Sequence, residues 1–512
     1  MRSVMKLQNG IMPWSTPEEQ GISSIDILSF MDDIQQRDIA LHSFQIARHG
    51  KLIASVIASP YTSKSFHRIF SAAKGVVATA VLIAIQEDYI KMDDPVLPLI
   101  PRENLPEKID DKWNRLTLYH LLTMHTGHAE DSFYAMYHSG RGEWVKQFFE
   151  QAPEYEPGTF FCYDMGAQYV MNELVKYTTG EDVGQFLKSR VFDYLDIEYQ
   201  NNYTCDGAFF SSTIQFHPDA LTKLSLLYLQ KGRWEDRQII REDLVELMEE
   251  CHSPSFHMDD FNNVDPEDCA GYTLHMWRNS VGGYRFCGGQ GQYGVIVPEY
   301  DMVFSSFAAE DRAVEIVKSF FTNVLRKSQL RPLPENAAAY QKLKERMDNF
   351  SLAPNGVSDH SALSEKINNR KYIFDNNDQD QKEISFSFLD DKVEIRTVSG
   401  KGTKLHYCGL NGAWLKSEGY ILIDTPDGEV ADLDRIFNYD PMITMLSGGW
   451  RDENSFEFYL RSDALLCDYR FLCEFSDRKL KIRCHSRSHA VRVSHMGQAS
   501  LNEDTIYTAT QE

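Results

Sequence analysis

Ser71 and Lys74 stand at the start of a strongly apolar stretch of the chain, in the order Ser-Ala-Ala-Lys. In a helix, residues three positions apart share one face, so this spacing places the lysine one turn from the hydroxyl. The start of a helix also favours negative charge that develops on that hydroxyl oxygen. Burial beside Val76, Val77 and Val81 penalises the charged ammonium and favours a neutral amine that can accept a proton. The pattern therefore predicts a serine nucleophile with a lysine base.

The same four-residue pattern occurs at two further places, Ser3/Lys6 and Ser476/Lys479. Ser3 lies close to the N-terminus, and Ser476 begins a polar turn between two stretches with β-strand character. Neither context buries the lysine, so only the pair at 71 and 74 is expected to be chemically active. The structural alternative for that pair is a helix-capping serine followed by a surface lysine.

Two loop segments could complete a site around Ser71. Tyr163 lies in the segment 157–166 ahead of a predicted helix, where its hydroxyl could relay protons or its ring could simply pack. The glycines at 289, 291 and 294 fit the spacing of a dinucleotide fingerprint, but the residues after them are typical of a strand rather than a helix. We therefore reject nucleotide binding. A glycine-rich strand edge instead lets a ligand approach the backbone N–H groups.

The elements that must position these residues follow from hydrophobic periodicity. The pattern predicts a helix over 24–38, a hairpin over 43–57 and an apolar helix over 72–90. Helical patterns dominate to about residue 260, and extended segments return between 284 and 308 before a helix over 313–327. The first 330 residues are thus predicted to form an α+β domain in which distant strands share one antiparallel sheet, flanked by helices and an all-helical insert.

The chain changes character after residue 330. Residues 331–350 are predicted to be a linker with one helix. From about 366 to 495, polar and apolar residues alternate with a period of two between Asp, Asn and Gly turns. We expect a separate antiparallel β domain within 351–512, either a barrel or a sandwich.

The composition of the chain indicates which classes of binding partner are not expected. The formal charge is −23, from 52 basic and 75 acidic residues, so nucleic-acid binding is not expected. No apolar stretch approaches the ~18 residues of a membrane span, and the N-terminus lacks the apolar core of a secretion signal. With nine cysteines and no CxxC pair, we expect free thiols in a cytoplasmic protein. Neither a metal nor another cofactor is expected, although two groups of potential metal ligands occur: His125 with His128, and Cys484 with His485, His489 and His495.

Taken together, the three segments around Ser71, Tyr163 and Gly289 resemble the serine β-lactamase and penicillin-binding-protein superfamily, especially its class C-like branch with esterases and D-aminopeptidases. The resemblance covers roughly residues 14–325 and includes Leu121-Leu122-Thr123-Met124-His125-Thr126-Gly127, which is similar to the family's LLxHTSG. It implies that Ser71 is acylated, that Lys74 takes its proton and that Tyr163 shuttles protons. It also implies an oxyanion hole formed by the N–H groups of Ser71 and Gly289.

Departures from the family pattern concern residues expected to face the substrate. Met165 stands where the family has Asn, and Phe286-Cys287-Gly288 replaces Lys-Thr-Gly, so the group that usually meets a substrate carboxylate is missing. We therefore expect a serine hydrolase for a neutral ester or a small amide or peptide. A D-amino-acid peptidase or weak β-lactamase is one alternative, and a non-catalytic binding protein on this scaffold is another. The β domain resembles the barrel or lipocalin-like modules of some members of this superfamily. The sequence is also compatible with assembly into a homo-oligomer.

Overall fold

The computed structural model describes residues 12–139, 142–201, 209, 211–253, 266–377, 380–419, 421–422, 443–462, 468–486 and 505–512. The α-helices are α1 (Ser24–Gln36), α2 (Ala73–Gln86), α3 (Leu118–Leu122), α4 (Ser132–His138), α5 (Trp144–Glu150), α6 (Met165–Thr179), α7 (Val183–Leu187), α8 (Asp193–Leu195), α9 (Ala220–Leu229), α10 (Glu242–Glu249), α11 (Val314–Asn323), α12 (Ala337–Asp348) and α13 (Ala362–Ile367).

The strands of the first domain are β1 (Leu41–Arg48), β2 (Lys51–Ile57), β3 (His67–Arg68), β4 (Tyr199–Gln200), β5 (Gln215–Phe216), β6 (Arg233–Trp234), β7 (Arg237–Gln238), β8 (Trp277–Arg278), β9 (Tyr284–Gly288), β10 (Gln292–Val297) and β11 (Met302–Ala308). Those that follow are β12 (Lys371–Phe374), β13 (Gln381–Phe388), β14 (Lys392–Ser399), β15 (Gly402–Gly409), β16 (Leu415–Glu418), β17 (Ile443–Trp450), β18 (Ser455–Ser462), β19 (Asp468–Ser476), β20 (Lys479–Ser486) and β21 (Thr505–Gln511).

A six-stranded antiparallel sheet in the order β2-β1-β11-β10-β9-β8 organises the first domain. The predicted hairpin is confirmed as β1 and β2, and β1 pairs with β11 through partners such as Phe44 and Ser306. Strands that are far apart in the chain therefore share one sheet, and the α+β prediction is confirmed. Helices α1, α11 and α12 cover one face, where α12, the helix of the predicted linker, packs against α1 and β2.

Helix α2 lies on the opposite face of the sheet and is apolar on all sides. Such a helix is stable only when it is surrounded by other elements, and nearly all of its residues are buried. It packs against α6, α7 and β9 within the larger of the two cores of this domain. The predicted helix over 72–90 is therefore confirmed in a shorter form, after a 3-10 turn at Phe70–Ala72.

The second domain is a closed β-barrel. Nine strands run in the order β15-β14-β13-β12-β21-β20-β19-β18-β17, and parallel pairing of Cys408 in β15 with Leu446 in β17 closes the ring. β16 pairs with β17 outside the ring. Alternate side chains of the strands fill an apolar interior that includes Phe386, Phe458 and Phe471. The predicted antiparallel β domain is confirmed, and of the two architectures considered it is the barrel.

Candidate active site

The turn that carries Ser71 is held between β3 and α2. Phe70 has φ 46°, in the left-handed region that ordinary residues seldom adopt, and such a residue costs about 1–3 kcal/mol. The end of β9 presses directly on this turn, because a Cβ added at Gly288 would lie 2.1 Å from the carbonyl oxygen of Ile69. Ser71 itself is half-buried at the edge of the packed turn. The close approach of β9 therefore requires glycine at position 288.

Lys74 lies in the first turn of α2 and is 1% exposed. Its Nζ is 3.3 Å from Ser71 Oγ, which is hydrogen-bond distance. The spacing seen in the sequence therefore corresponds to direct contact of amine and hydroxyl. A buried amine beside a partly accessible hydroxyl is the arrangement that activates a serine nucleophile.

Tyr163 reaches the same place, but it presents its ring rather than its hydroxyl. Lys74 Nζ lies over the face of the Tyr163 ring, 4.4 Å from its centroid. The ring centroid is 5.5 Å from that of Trp277 and 6.2 Å from that of Tyr272. Among the described residues, no hydrogen-bond partner accompanies the Tyr163 hydroxyl. The structure therefore brings Ser71, Lys74 and Tyr163 together without a hydrogen bond from the tyrosine to the serine.

Two carboxyl groups whose role sequence reasoning missed support the Tyr163 loop: Asp164 is fully buried and Asp131 is half-buried. Asp164 caps α6 by accepting the N–H of Gly166 at 2.8 Å, and it also accepts from Ser132 Oγ at 2.7 Å. His128 Nδ1 lies 2.9 Å from the other Asp164 oxygen. Asp131 accepts the N–H of Met165 at 2.9 Å. Asp164 directly before a helical run was the available signal in the sequence, since Asp is a preferred capping residue.

The two carboxyls differ in their electrostatics. Burial, followed by the neighbouring Asp164 charge, raises the pKa of Asp131 to about 7. Burial also works against the charged form of Asp164, but hydrogen bonds from His128 and Ser132 outweigh it and hold its pKa below the usual range. Burial lowers the pKa of His275 to about 3. The loop next to Lys74 thus combines an ionised carboxylate with one that titrates near neutrality.

One of the residues expected to face the substrate is buried in the core instead. Phe286 is 1% exposed, and its ring occupies the space that a side chain at Gly75 of α2 would need. This corrects the expectation for Phe286, because alternation along β9 turns its side chain into the core. Met165 and Cys287 are half-buried, and Gly289 is exposed.

Two further residues of the β9 segment, Gly289 and Arg285, have different surroundings. A Cβ at Gly289 would meet only Phe70 Cγ, at 4.0 Å, so Gly289 lies beside the Ser71 turn, where the resemblance expects an oxyanion donor. Arg285 is 1% exposed and donates to the main-chain carbonyls of Arg278 and Glu267. Its guanidinium therefore serves the fold.

The residues that the sequence offered as potential metal ligands make other contacts, are buried in a strand, or fall outside the described residues. His128 contacts Asp164, and His125 Nδ1 lies 3.2 Å from Thr123 Oγ1. Cys484 is buried in β20, whereas His489 and His495 fall outside the described residues. Among the residues that the structure describes, no three His, Cys, Asp or Glu side chains are grouped as metal ligands. In the same part of the chain, no helix combines the length and apolarity needed to cross a membrane.

Comparison with known proteins places this site in a family. The Beta-lactamase family model matches residues 30–199, a range that contains Ser71, Lys74 and Tyr163. The matched segment of the first domain is therefore β-lactamase-like. No curated protein matches the chain.

Several solved structures are similar to this chain at low identity. A putative β-lactamase from Bacteroides dorei is 15% identical, with 60% of this chain and 99% of that chain covered and a TM-score of 0.47. An octameric penicillin-binding protein homologue from Pyrococcus abyssi is 14% identical, with 90% and 97% covered and a TM-score of 0.46. A putative 6-aminohexanoate-dimer hydrolase from Bacillus anthracis is 16% identical, with 65% and 91% covered and a TM-score of 0.47.

Proposed function

We propose that the protein is a serine hydrolase that forms an acyl-enzyme on Ser71 from a neutral ester or a small amide or peptide. The observation that carries this proposal is the 3.3 Å separation of Lys74 Nζ and Ser71 Oγ, with the lysine buried. A buried amine at this distance is placed to take the hydroxyl proton as the serine oxygen attacks. The family match over this segment supports the same chemistry.

In the acylation step, Lys74 Nζ takes the hydroxyl proton while Ser71 Oγ attacks the carbonyl carbon of the substrate. The negative charge on the substrate oxygen is then met by the N–H groups of Ser71 and Gly289, and one such donor is worth roughly 10²–10³ in rate. The proton passes from Lys74 to the leaving oxygen or nitrogen, and the leaving group departs with it. In the second step, water attacks the acyl carbon and gives a proton to Lys74 Nζ. The bond between the acyl carbon and Ser71 Oγ then breaks, the proton passes from Lys74 to Oγ, and the carboxylic acid leaves.

The surroundings of Ser71 support an uncharged substrate. Arg285, the cation beside the Phe286-Cys287-Gly288 segment, is committed to main-chain carbonyls. The Tyr163 ring lies against the Lys74 amine and packs on Trp277, so the surroundings of the amine on this side are aromatic. The Phe286-Cys287-Gly288 segment itself offers no cationic side chain to a substrate carboxylate, and burying an unpaired carboxylate is costly. Esters and small amides with apolar acyl groups are therefore preferred over β-lactams and D-alanyl peptides, which present a carboxylate.

Labelling at Ser71 tests the proposal. A fluorophosphonate probe followed by peptide mass spectrometry should show an adduct on Ser71, and Ser71→Ala should abolish it. Ser476→Ala is the matched control, because it removes the serine of the same four-residue pattern at an exposed turn. Labelling that persists in Ser71→Ala, or turnover of p-nitrophenyl esters that is unchanged in that variant, contradicts the proposal.

A second candidate function is binding without turnover. It is favoured by one observation, the ring contact between Tyr163 and Lys74, which leaves the tyrosine hydroxyl without a described hydrogen bond to Ser71. On this alternative, the site holds a carbonyl ligand that is not cleaved. Comparing nitrocefin, p-nitrophenyl esters and D-alanyl amides for release of product separates the two functions and also tests the peptidase and β-lactamase alternatives.

A further inference from the structure

A cavity of about 250 Å³ lies between the first domain and the barrel. Arginines from both sides converge on its wall: Arg346 from α12, Arg451 after β17, Arg461 from β18 and Arg470 from β19. Asp38, after α1, is the carboxylate on the same wall. Four guanidinium groups therefore converge on one cavity where two domains meet.

Arg461 is the most buried of these arginines, with 1% of its side chain exposed. Its Nη2 lies 3.2 Å from Asp468 Oδ2. Its Nε and Nη1 have no acceptor among the described residues, and neither has Nε of Arg470. Buried guanidinium donors are normally satisfied by protein, water or a bound ion, so donors that lack an acceptor indicate a missing partner.

Each of these guanidinium groups already contacts protein acceptors, and two of the acceptors are not carboxylates: Arg451 Nη1 donates to the main-chain carbonyl of Asn355 at 2.9 Å, and Arg346 Nη2 donates to Gln35 Oε1. Arg470 makes contacts of 2.5 and 2.7 Å with the two oxygens of Asp38, and Arg451 donates to Glu457. Asp32 lies 3.6 Å from Arg346. A guanidinium has five N–H donors, and one carboxylate uses at most two of them in a parallel pair. These contacts orient the arginines and leave further donors for another acceptor.

We propose that this interdomain cavity binds a small oxyanion, either a phosphate group or a polycarboxylate. Guanidinium groups recognise phosphate and carboxylate because their planar donors match the oxygens of those anions. The cavity volume is far larger than the ~10–15 Å³ that one water needs, so a molecule of several heavy atoms fits. Arg346 and Asp38 belong to the first domain and the other arginines to the barrel, so the anion bridges the two domains. This site does not depend on the chemistry at Ser71.

Thermal unfolding and calorimetry of the full chain test this site. Sodium phosphate, glycerol phosphate and citrate are titrated separately at constant ionic strength, with sodium chloride as the reference. The expected result is a saturable rise in Tm and a measurable Kd for at least one oxyanion but not for chloride, because ligand that binds only the folded state stabilises it. The phosphate and citrate arms distinguish a phosphate site from a carboxylate site.

Two variants locate the effect. Arg461→Gln and Arg451→Gln should each weaken binding at least tenfold, and the half-exposed Arg451 provides a variant that folds even if the buried position does not tolerate change. Arg478→Gln, at an exposed turn of the barrel, should bind like the unaltered protein. A cavity that holds only water gives no anion-specific shift. That result, or equal affinity in all three variants, overturns the proposal.

Discussion

Two segments of this molecule share the pattern Ser-x-x-Lys and have opposite surroundings. Ser71 and Lys74 begin the buried helix α2, whereas Ser476 and Lys479 flank the two-residue turn between β19 and β20 and pair with each other across it. Both patterns therefore bring a serine near a lysine, but Lys74 is 1% exposed while Ser476 and Lys479 are both exposed to water. Proximity comes from the spacing in either case. Only the pair at 71 and 74 combines this proximity with a buried amine beside a partly accessible hydroxyl.

Removing the amine from the buried pair gives the largest expected effect. Lys74→Met keeps most of the side-chain volume, and we expect ester turnover to fall about 10³-fold or more, since base and nucleophile act as one unit. Lys479→Met should leave turnover unchanged. Circular dichroism of both variants controls for folding. Equal activity in the two variants would contradict a catalytic role of the Lys74 amine.

The second-largest effect is expected when the packing of β9 on the Ser71 turn is disturbed. In Gly288→Ala the new Cβ would meet the Ile69 carbonyl at 2.1 Å, so the strand must move away from the turn. We expect the rate of probe labelling at Ser71 to fall about 10²-fold, because displacements near 1 Å are costly in an active site. Gly289→Ala is the matched neighbour, with 4.0 Å to Phe70 and its N–H retained. Similar labelling rates in both variants would contradict this account.

Tyr163→Phe tests whether the hydroxyl or the ring does the chemistry. The substitution keeps the ring over Lys74 and removes the hydroxyl. If the hydroxyl reaches the leaving group when substrate is bound, kcat should fall about 10²-fold with little change in Tm. An unaltered kcat would mean that the ring contact with Lys74 is the whole contribution of Tyr163.

Asp131 gives the smallest effect, on stability. Its pKa is raised to about 7 in the folded protein, above the usual 3.8. Between these two pH values the unfolded chain releases a proton that the folded protein keeps, so Asp131 lowers the stability increasingly as pH rises from about 4 to 7. Asp131→Asn, which retains an acceptor for Met165, should therefore have a Tm higher by about 2 °C or more at pH 8. The two Tm values should converge below pH 4, and equal Tm values at pH 8 would contradict the shift.

Local patterns predicted much of the molecule, because local periodicity determines the hairpin β1–β2, helix α2 and the alternating strands of the second domain. Closure of the barrel could not be predicted in this way, since it depends on pairing between β15 and β17. The sequence prediction placed the Phe286 side chain on the wrong face of β9. Alternation shows which side chains share a face of a strand, but it does not show which of the two faces packs against the core.

The Tyr163 loop shows the limit of sequence reasoning at the site itself. The residue was found by its position, but whether ring or hydroxyl meets Lys74 is decided by packing against Trp277 and Tyr272. The contact of Asp131 with Met165, which is remote in the sequence, likewise depends on how two loops meet. Spacing along the chain contains no information on either.

The antiparallel sheet of the first domain has a consequence for how the protein matures. β1 emerges early in synthesis but pairs with β11, and β9 must arrive before it can press on the Ile69–Ala72 turn. Such long-range closure slows folding, because entropy is lost before the contacts form. A nascent chain that has not yet reached residue 288 therefore holds a serine and a lysine but lacks the wall that fixes them. Reactivity should appear only late, as a property of the completed sheet.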